Sequence, residues 1–367
     1  MRSAPRVIRS APRVMRSAPR PGVAALLLST LAAASAQSLD FSMPEFLHDQ
    51  QRFQQQLTES RWTANPMPYM DGLSSAVLQH PYTVLCDVDD TIFVTSFTLN
   101  HVVRLKMTTK QRAQYKVFVK GSELDGPVGM ALDVASYNAS VRLLYVASFT
   151  NDHILRIDAE TGDLLGKFGN EEEMDCPEGI ALGPDGTLYV VSFLLPYIVR
   201  YQPESGRFLG QFAPPPLRGA PTPRRGPGVL LGAEDLAFDV SGDLHVTAYH
   251  ASAVFKYNGN TGALETTYGK GVLRGPVGIT CGPDGDMYVA SYKDNQVMRF
   301  EPTGRFVGVA AGTTDQRVGK LRISGPAGIA FADDGTFFVT SHVAGTLTRF
   351  NSSTVPTRTW RVTGTGT

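Results

Sequence analysis

The most constraining feature of this chain is a unit that it repeats six times. In each copy a small residue is followed by a ring-bearing side chain, and a basic residue stands eight positions after the small one. Successive copies lie 43 to 56 residues apart, which predicts one architecture of equivalent units rather than unrelated domains. The copies are Ser96-Phe97…Arg104, Ser148-Phe149…Arg156, Ser192-Phe193…Arg200, Ala248-Tyr249…Lys256, Ser291-Tyr292…Arg299 and Ser341-His342…Arg349.

Each unit reads as four short strands. In the fifth unit, Gly275–Cys281 leads through the turn Pro283-Asp-Gly285 into Asp286–Ser291, and Gln296–Phe300 follows. An Asp-Gly pair between two apolar runs favours a tight hairpin, because glycine adopts positive φ without a Cβ clash. Four strands in a unit of this length are typical of a propeller blade. We therefore predict an all-β protein, a six-bladed β-propeller of four-stranded antiparallel blades.

These motifs resemble the NHL repeat. The resemblance rests on the Gly-Pro-x-Gly-Ile turn, the Pro-Asp-Gly-x-x-Tyr-Val hairpin and the segment Asn295–Phe300, and it spans roughly residues 78–362. It implies a six-bladed propeller of the broad superfamily that includes gluconolactonase-like and streptogramin-lyase-like propellers. Members of that superfamily range from scaffolds and receptor ectodomains to lactonases and lyases, so the fold does not select an activity. The Asn of the repeat is kept at Asn100 and Asn295, is Asp152 in the second unit, and is replaced at Pro196, Ser252 and Gly345.

The N-terminal segment reads as a targeting signal. Residues 1–36 contain six Arg and no acidic residue, and they include an apolar run from Val23 to Ala34 that ends in Ala34-Ser-Ala36. A basic region, a short apolar run and small residues at this spacing predict a secretory signal peptide over 1–36, and therefore a secreted protein. An Arg- and Ser-rich transit peptide that directs the chain to an organelle lumen is the alternative.

The remaining chain divides into three predicted parts. Residues 37–77 are predicted to form a helix, which begins at the capping box Ser42-Met-Pro-Glu45, and a linker. Residues 78–362 form the predicted propeller, and residues 363–367 form a C-terminal tail. The sequons at Asn138 and Asn351 suit glycosylation of a secreted surface.

The charge balance excludes one class of partner. The chain has 34 Lys+Arg and 34 Asp+Glu, and without the six Arg of residues 1–36 the count is 28 basic against 34 acidic, a net charge of −6. A mildly acidic body does not attract nucleic acid, so the expected partner is a protein or a small molecule. Outside the N-terminus no apolar run reaches 18 residues, which predicts no integral membrane span in the mature chain.

The fold alone predicts where a ligand site would lie, even without a sequence motif. In a propeller the innermost strand of each blade follows the Gly-Pro-x-Gly turn, and this turn and the loop after the small residue open on one face, around the central channel. The ring position in the six units is Phe97, Phe149, Phe193, Tyr249, Tyr292 and His342. Position x of the turn is Tyr82, Val128, Glu178, Glu234, Val277 and Ala327.

Glu178 and Glu234 stand at equivalent positions of adjacent units, so their carboxylates are expected to converge at the channel mouth. Such a pair could bind a divalent cation such as Ca²⁺ or Mg²⁺, or it could raise one pKa for acid–base chemistry. Solvated carboxylates, or carboxylates that accept hydrogen bonds from loop N–H groups, are the alternatives. His342 either packs in place of the aromatic ring of the repeat or binds the ligand. The predicted ligand-binding residues are Glu178, Glu234, Asp235, Tyr249, Tyr292 and His342.

The sequence contains no common hydrolase or nucleotide-binding motif. Gly-x-Ser-x-Gly, His-Glu-x-x-His and the P-loop are all missing, and so is the Gly-Glu-Gly-Pro-type segment that carries a metal-binding Glu in gluconolactonase-like propellers. The leading interpretation is a secreted binding or interaction module with its ligand face at the channel mouth, and without an assigned catalytic residue. A metal-dependent lactonase, esterase or lyase that uses the same mouth is the alternative.

Overall fold

The computed structural model describes residues 77–87, 91–109, 112–133, 142–212, 230, 232–312 and 323–350. The predicted signal peptide, the predicted N-terminal helix, the C-terminal tail and the sequons at Asn138 and Asn351 lie outside these ranges. Over the described ranges the chain forms six antiparallel sheets, and in each sheet strands that are consecutive in the sequence are hydrogen-bonded neighbours. No helix in the same ranges is long and apolar enough to cross a membrane.

The first three sheets contain four strands each. The first sheet consists of β1 (Pro81–Cys86), β2 (Thr91–Ser96), β3 (His101–Thr109) and β4 (Arg112–Lys120). The second consists of β5 (Pro127–Leu132), β6 (Leu143–Ser148), β7 (His153–Asp158) and β8 (Leu164–Phe168). The third consists of β9 (Pro177–Leu182), β10 (Leu188–Ser192), β11 (Ile198–Gln202) and β12 (Arg207–Gln211). Two short 3₁₀ turns, Phe149–Asn151 and Tyr292–Asp294, follow strands of the second and fifth sheets.

The fourth and fifth sheets repeat this pattern, and the sixth has three strands within the described ranges. The fourth sheet consists of β13 (Ala233–Phe238), β14 (Leu244–Ala248), β15 (Ala253–Tyr257) and β16 (Leu264–Tyr268). The fifth consists of β17 (Pro276–Cys281), β18 (Met287–Ser291), β19 (Gln296–Phe300) and β20 (Phe306–Ala311). The sixth consists of β21 (Pro326–Phe331), β22 (Phe337–Ser341) and β23 (Thr346–Phe350). The first strands β1, β5, β9, β13, β17 and β21 each contact the next, and β21 contacts β1. The contacts close a ring, so the predicted six-bladed β-propeller is confirmed.

The hydrophobic core lies between the blades. The second strands β10, β14, β18 and β22 are buried along their whole length, whereas the outer strands β8 and β16 are mostly exposed. One buried cluster joins Tyr189 and Val191 of the third blade to Leu236 and Val246 of the fourth. A blade therefore buries its apolar faces only against its neighbours, as expected for a repeat architecture.

A side chain from each of several blades also ties it to the next. The side-chain amide oxygen of Asn100 accepts a hydrogen bond from the backbone N–H of Gly126 at 2.9 Å, and that of Asn295 accepts one from the N–H of Gly325 at 2.8 Å. Ser252, where the sequence has lost the Asn of the repeat, accepts the equivalent bond through its hydroxyl. The repeat therefore conserves a link between blades rather than one residue type.

The first strand of every blade contains the same irregularity. The register with the second strand shifts just after the Pro or Ala of the turn, as between Pro276 and Ile279 in the fifth blade. A β-bulge of this kind re-aims the side chains that it contains. Position x of each turn lies inside the bulge, which places Glu178 and Glu234 at the axis of the ring.

Glycine lets the first strands approach each other around this axis. A Cβ added to Gly278 would lie 1.9 Å from the carbonyl oxygen of Ala327, and one added to Gly129 would lie 2.1 Å from that of Glu178. Because no side chain fits in such a space, the channel is closed to a narrow width by backbone. The space that remains at the axis is lined by residues of all six blades and is too narrow for a water molecule.

Candidate functional site

Glu178 and Glu234, which we call the carboxylate pair, are buried at the axis. Their exposed fractions are 5% and 6%. The interpretation of these residues as solvated rim carboxylates is therefore wrong, because the neighbouring first strands cover both of them. One oxygen of Glu178, Oε2, is fully buried and has no hydrogen-bond partner among the described residues. A buried acceptor without a hydrogen-bond partner is costly, so this oxygen is the atom of the carboxylate pair that most needs a donor.

A tyrosine from the opposite side of the ring caps the carboxylate pair. The hydroxyl of Tyr82, at position x of the first blade, donates a hydrogen bond to Oε2 of Glu234 in the fourth blade. Burial, with the negative charges of Glu178 and Glu234 adding to it, raises the pKa of this phenol well above the ordinary value. Tyr82 was missing from the predicted site residues, although its position x in the turn is the signal that it shares with the two glutamates.

Burial and mutual repulsion hold protons on the acidic groups of the channel. Burial, followed by the charge of Glu234, raises the pKa of Glu178 well above the ordinary value. Burial raises the pKa of Glu234 to about 7; the Tyr82 hydrogen bond opposes this rise, and the charge of Asp235 adds to it. Within the described ranges no basic side chain forms an ion pair with either carboxylate. Near neutral pH the pair therefore keeps at least one proton.

Asp235 has a different role from its neighbour Glu234. Its two carboxylate oxygens accept hydrogen bonds from backbone N–H groups, Oδ1 from Leu236 at 2.9 Å and Oδ2 from Ile279 at 3.1 Å. The second bond crosses from the fourth blade to the fifth. Burial raises the pKa of Asp235 to about 7, against the lowering effect of these two bonds. Asp235 thus joins blades, and its predicted contact with a ligand stays a prediction.

The six ring positions, Phe97, Phe149, Phe193, Tyr249, Tyr292 and His342, form what we call the aromatic rim. Each is partly exposed. From Phe97 to Phe193 the rings follow one another with centroids 6.0 and 6.5 Å apart. His250 contacts both Phe193 and Tyr249 and bridges the third and fourth blades. Tyr249, Tyr292 and His342 continue the series, with centroids 6.3 and 6.1 Å apart.

His80 connects the sixth blade to the first and completes the aromatic rim. His80 stacks on His342 with ring centroids 4.9 Å apart, and its Nδ1 is hydrogen-bonded to the hydroxyl of Thr98, next to Phe97. Burial, with the charge of His80 adding to it, lowers the pKa of His342 to about 3. His342 is therefore a neutral ring at physiological pH. It packs as a ring, and it supplies no positive charge to the carboxylate pair.

The described residues contain one group with three possible metal ligands close together, and it is not the carboxylate pair. Oxygen and sulfur atoms of Asp152, Asp175 and Cys176 lie within 4.8 Å of one another at the seam between the second and third blades. Asp152 there replaces the Asn of the repeat and accepts a hydrogen bond from the N–H of Cys176 at 2.9 Å. Burial raises the pKa of both Asp152 and Asp175.

A divalent cation at the carboxylate pair would have few protein ligands. Ca²⁺ takes six to eight oxygens, whereas the channel supplies two carboxylates and one phenol, because Asp235 uses both of its oxygens on backbone N–H groups. Binding of Ca²⁺ or Mg²⁺ by Glu178 and Glu234 stays a prediction.

Comparisons with known proteins show the fold and nothing finer. No protein-family model matches the chain, and no curated protein matches it either. A virginiamycin B lyase from Staphylococcus aureus is 16% identical, with a TM-score of 0.51 over 75% of this chain and 82% of the lyase. A gluconolactonase from Xanthomonas campestris is 14% identical, with a TM-score of 0.52 over 72% of this chain and 84% of the enzyme.

A structural-genomics protein of unknown function from Bacteroides thetaiotaomicron is 14% identical, with a TM-score of 0.57 over 74% of this chain and 69% of that one. At these identities the likeness concerns the fold. The chain is a six-bladed β-propeller, and its structural neighbours include streptogramin-lyase and gluconolactonase propellers, as the repeat motifs predicted.

Proposed function

We propose that this propeller is a binding module that holds a positively charged ligand at the mouth of its central channel. The observation that carries the proposal is the carboxylate pair. Two glutamates from adjacent blades are buried side by side with no ion pair among the described residues, and one of their oxygens has no hydrogen-bond partner there. Each carboxylate is costly to ionise without a partner, so a bound cation would displace the protons that these groups hold and supply that partner.

The alternative function is a metal-dependent lactonase, esterase or lyase at the same site. One observation favours it: Glu234 and Asp235 have pKa values of about 7, where a carboxyl group can both accept and release a proton. Against it, Asp235 is held by two backbone N–H groups, and the sequence contains none of the hydrolase motifs sought above. The binding module is therefore the function that the geometry supports better.

The test compares cations with an anion at constant ionic strength. The mature protein is titrated with CaCl₂, MgCl₂, n-butylammonium chloride and sodium acetate by calorimetry and thermal shift. We expect a cation to bind, acetate not to bind, and the double variant Glu178→Gln, Glu234→Gln to lose the binding. Glu171→Gln with Glu172→Gln, which removes the same charge from two exposed residues, is the matched control.

Four outcomes would contradict the proposal. Binding that survives in the channel variant places the site elsewhere, and equal binding of acetate removes the role of charge. A panel in which no cation binds leaves the carboxylate pair as a structural feature only. Hydrolysis of a small δ-lactone that needs Ca²⁺ or Mg²⁺ and disappears in the channel variant would replace the binding module with the enzymatic alternative.

We also propose that the protein is secreted after removal of residues 1–36 and carries glycans at Asn138 and Asn351. The support is the basic, apolar and small-residue order of the N-terminus. The N-terminal sequence of the protein recovered from a culture medium is expected to begin at Gln37, and glycosidase treatment is expected to lower its mass. A chain retained in the cell with residues 1–36 intact would contradict secretion.

A further inference from the structure

The outer edges of the blades are open to strand pairing. The fourth strand of a blade is hydrogen-bonded to the third strand on one side, and no described strand pairs with its other side. Such an edge presents unpaired N–H and C=O groups, and natural proteins protect it with charged side chains, Lys above all. The fourth strands within the described ranges are β4, β8, β12, β16 and β20.

Four of these five strands are protected by charge, and β20 is not. The exposed charged residues are Lys116 and Lys120 in β4, Lys167 in β8, Arg207 in β12 and Glu265 in β16. The sequence of β20 is Phe306-Val-Gly-Val-Ala-Ala311, which has no charged or polar side chain. Phe306, Val307 and Val309 are 41%, 42% and 49% exposed. An apolar edge strand with this exposure is a site where a strand of another chain can pair.

The sequence of β20 is complementary to a second copy of itself in the opposite direction. We consider an antiparallel pair whose two-fold axis passes between Gly308 and Val309. Residues that are directly opposite in such a pair lie on one face of the sheet with Cβ atoms about 5 Å apart, so a large side chain fits best beside a small one. This register joins a larger and a smaller residue at every position of the strand: Val309 with Gly308, Val307 with Ala310, and Phe306 with Ala311.

The irregularities of β20 have the same symmetry. The register between β19 and β20 shifts twice, which leaves Val307 and Ala310 without a directly opposite residue in β19. A bulge bends its strand and protects many edges by twisting them away from a partner. Here the two-fold axis exchanges the two bulges, because Val307 and Ala310 are equally far from it. The edges of both copies therefore bend at matching places and can follow each other.

The charge beside β20 does not oppose the pairing, and the length of the strand limits its strength. Arg305, which comes just before the strand, is ion-paired with Glu301, and the register sets it opposite Gly312. No like charges meet along the pair. Stable interfaces bury about 800 Å² per partner, which a strand of six residues does not supply alone. The expected dimer is therefore reversible, with a Kd of about 10 to 100 µM.

We propose that two copies of this chain form a reversible dimer by antiparallel pairing of β20, which joins their fifth blades into one continuous sheet. The occupant of the edge is a second copy, because the match of large to small residues is a match of the strand to its own sequence. The pairing uses the outer edge of a blade, so it is independent of any ligand at the channel mouth.

The test measures association of the full chain by sedimentation velocity. We expect a monomer at about 1 µM and mostly dimer at about 200 µM. Val309→Lys, which puts two like charges beside the two-fold axis, should raise the Kd of the dimer at least about tenfold. Thr267→Lys is the matched control and should leave the Kd within about twofold, because Thr267 occupies the equivalent position of β16 in the fourth blade.

Disulfide formation tests the register itself. In the proposed pair, residue 307 of one copy and residue 310 of the other are close enough for a disulfide. An oxidised equimolar mixture of Val307→Cys and Ala310→Cys should therefore contain a cross-linked dimer, whereas neither variant alone and not the unchanged protein should form one. Thermal unfolding verifies that each variant is folded. If Val309→Lys does not fold, the cross-link still decides the proposal.

Several results would overturn the dimer. A monomer at both concentrations would do so directly. A dimer that persists in Val309→Lys, or that weakens equally in Thr267→Lys, would place the contact away from β20. Cross-linking of Val307→Cys with itself would contradict the antiparallel register. None of these results bears on cation binding at the carboxylate pair, so the dimer and the proposed function can fail separately.

Discussion

The carboxylate pair predicts a specific dependence of folding stability on pH. The perturbation is Glu234→Gln, which keeps the shape of the side chain and the acceptor for Tyr82 but cannot ionise. The pKa of Glu234 is 4.5 in the unfolded chain and about 7 in the folded one. Since the folded value is the higher one, its contribution to stability is complete below pH 4.5 and is lost as the pH rises through about 7.

The size of the effect follows from the two pKa values. A rise from 4.5 to about 7 corresponds to about 3 kcal/mol, at 1.36 kcal/mol per pKa unit. Neutralising Glu234 also relieves Glu178, whose pKa is raised by the charge of Glu234. This second effect has the same sign, so it enlarges the expected difference between the two proteins.

A single protein is not enough for this measurement, because His342 acts in the opposite direction. Its pKa falls from 6.5 to about 3 on folding, so the stability that it contributes is present above pH 6.5 and is lost as the pH falls through about 3. Between pH 4.5 and 6.5 the contributions of Glu234 and His342 partly cancel in the unchanged protein. The difference between the protein and its Glu234→Gln variant removes the histidine from the comparison.

The assay is urea unfolding of both proteins at a series of pH values without added cations. The free energy of unfolding of the unchanged protein, minus that of Glu234→Gln, should fall by about 3 kcal/mol between pH 4.5 and pH 7.5, or about 6 °C in a thermal scan. Glu171→Gln, which removes one exposed carboxyl, is the matched control. A difference that stays constant or rises over this range would refute the argument that the channel holds a proton on Glu234.

Three further changes test the contacts that build the ring. Gly278→Ala should destabilise the fold by about 3 kcal/mol or more, because its Cβ would lie 1.9 Å from the backbone oxygen of Ala327; denaturant unfolding measures the loss. Thr340→Val should cost about 1 to 2 kcal/mol, because the hydroxyl donates a 2.6 Å hydrogen bond to the carbonyl of Tyr82 and joins the last blade to the first. Asp152→Asn should stabilise the fold more at pH 8 than at pH 5, because burial, with the charge of Asp175 adding to it, raises the pKa of Asp152 and disfavours its charged form; urea unfolding at the two pH values measures the difference.

Most of the fold could be predicted from the sequence because each blade is a local structure. The hairpin turns, the small residue and the basic residue lie within one unit, and the offset from the small to the basic residue is the same in all six. The bulge at the start of each first strand was not predicted, since a shift in register leaves no residue pattern of its own. The N-terminal helix lies outside the described residues and stays a prediction.

The candidate site was predictable in position but not in environment. Equivalent spacing placed Glu178 and Glu234 at the axis, and the structure brings both of them there. Glu234 accepts a hydrogen bond from Tyr82, which is 152 residues away in the sequence and reaches it only because the ring closes. The role of Asp235 was also hidden, because its partners are backbone N–H groups, one of them in the next blade, rather than side chains with a pattern.

The first residue of the turn has a backbone conformation that glycine adopts most easily, and two blades place another residue there. Every blade has a positive φ there, and four blades meet this requirement with glycine. His80 and Cys176 adopt the same conformation, with φ of 46° and 55°, at a cost of about 1 kcal/mol each that glycine would avoid. Strain of this kind persists where a side chain has a use, and His80 stacks on His342 in the aromatic rim. His80, which replaces glycine in the first blade, thus packs against the ring position of the sixth blade.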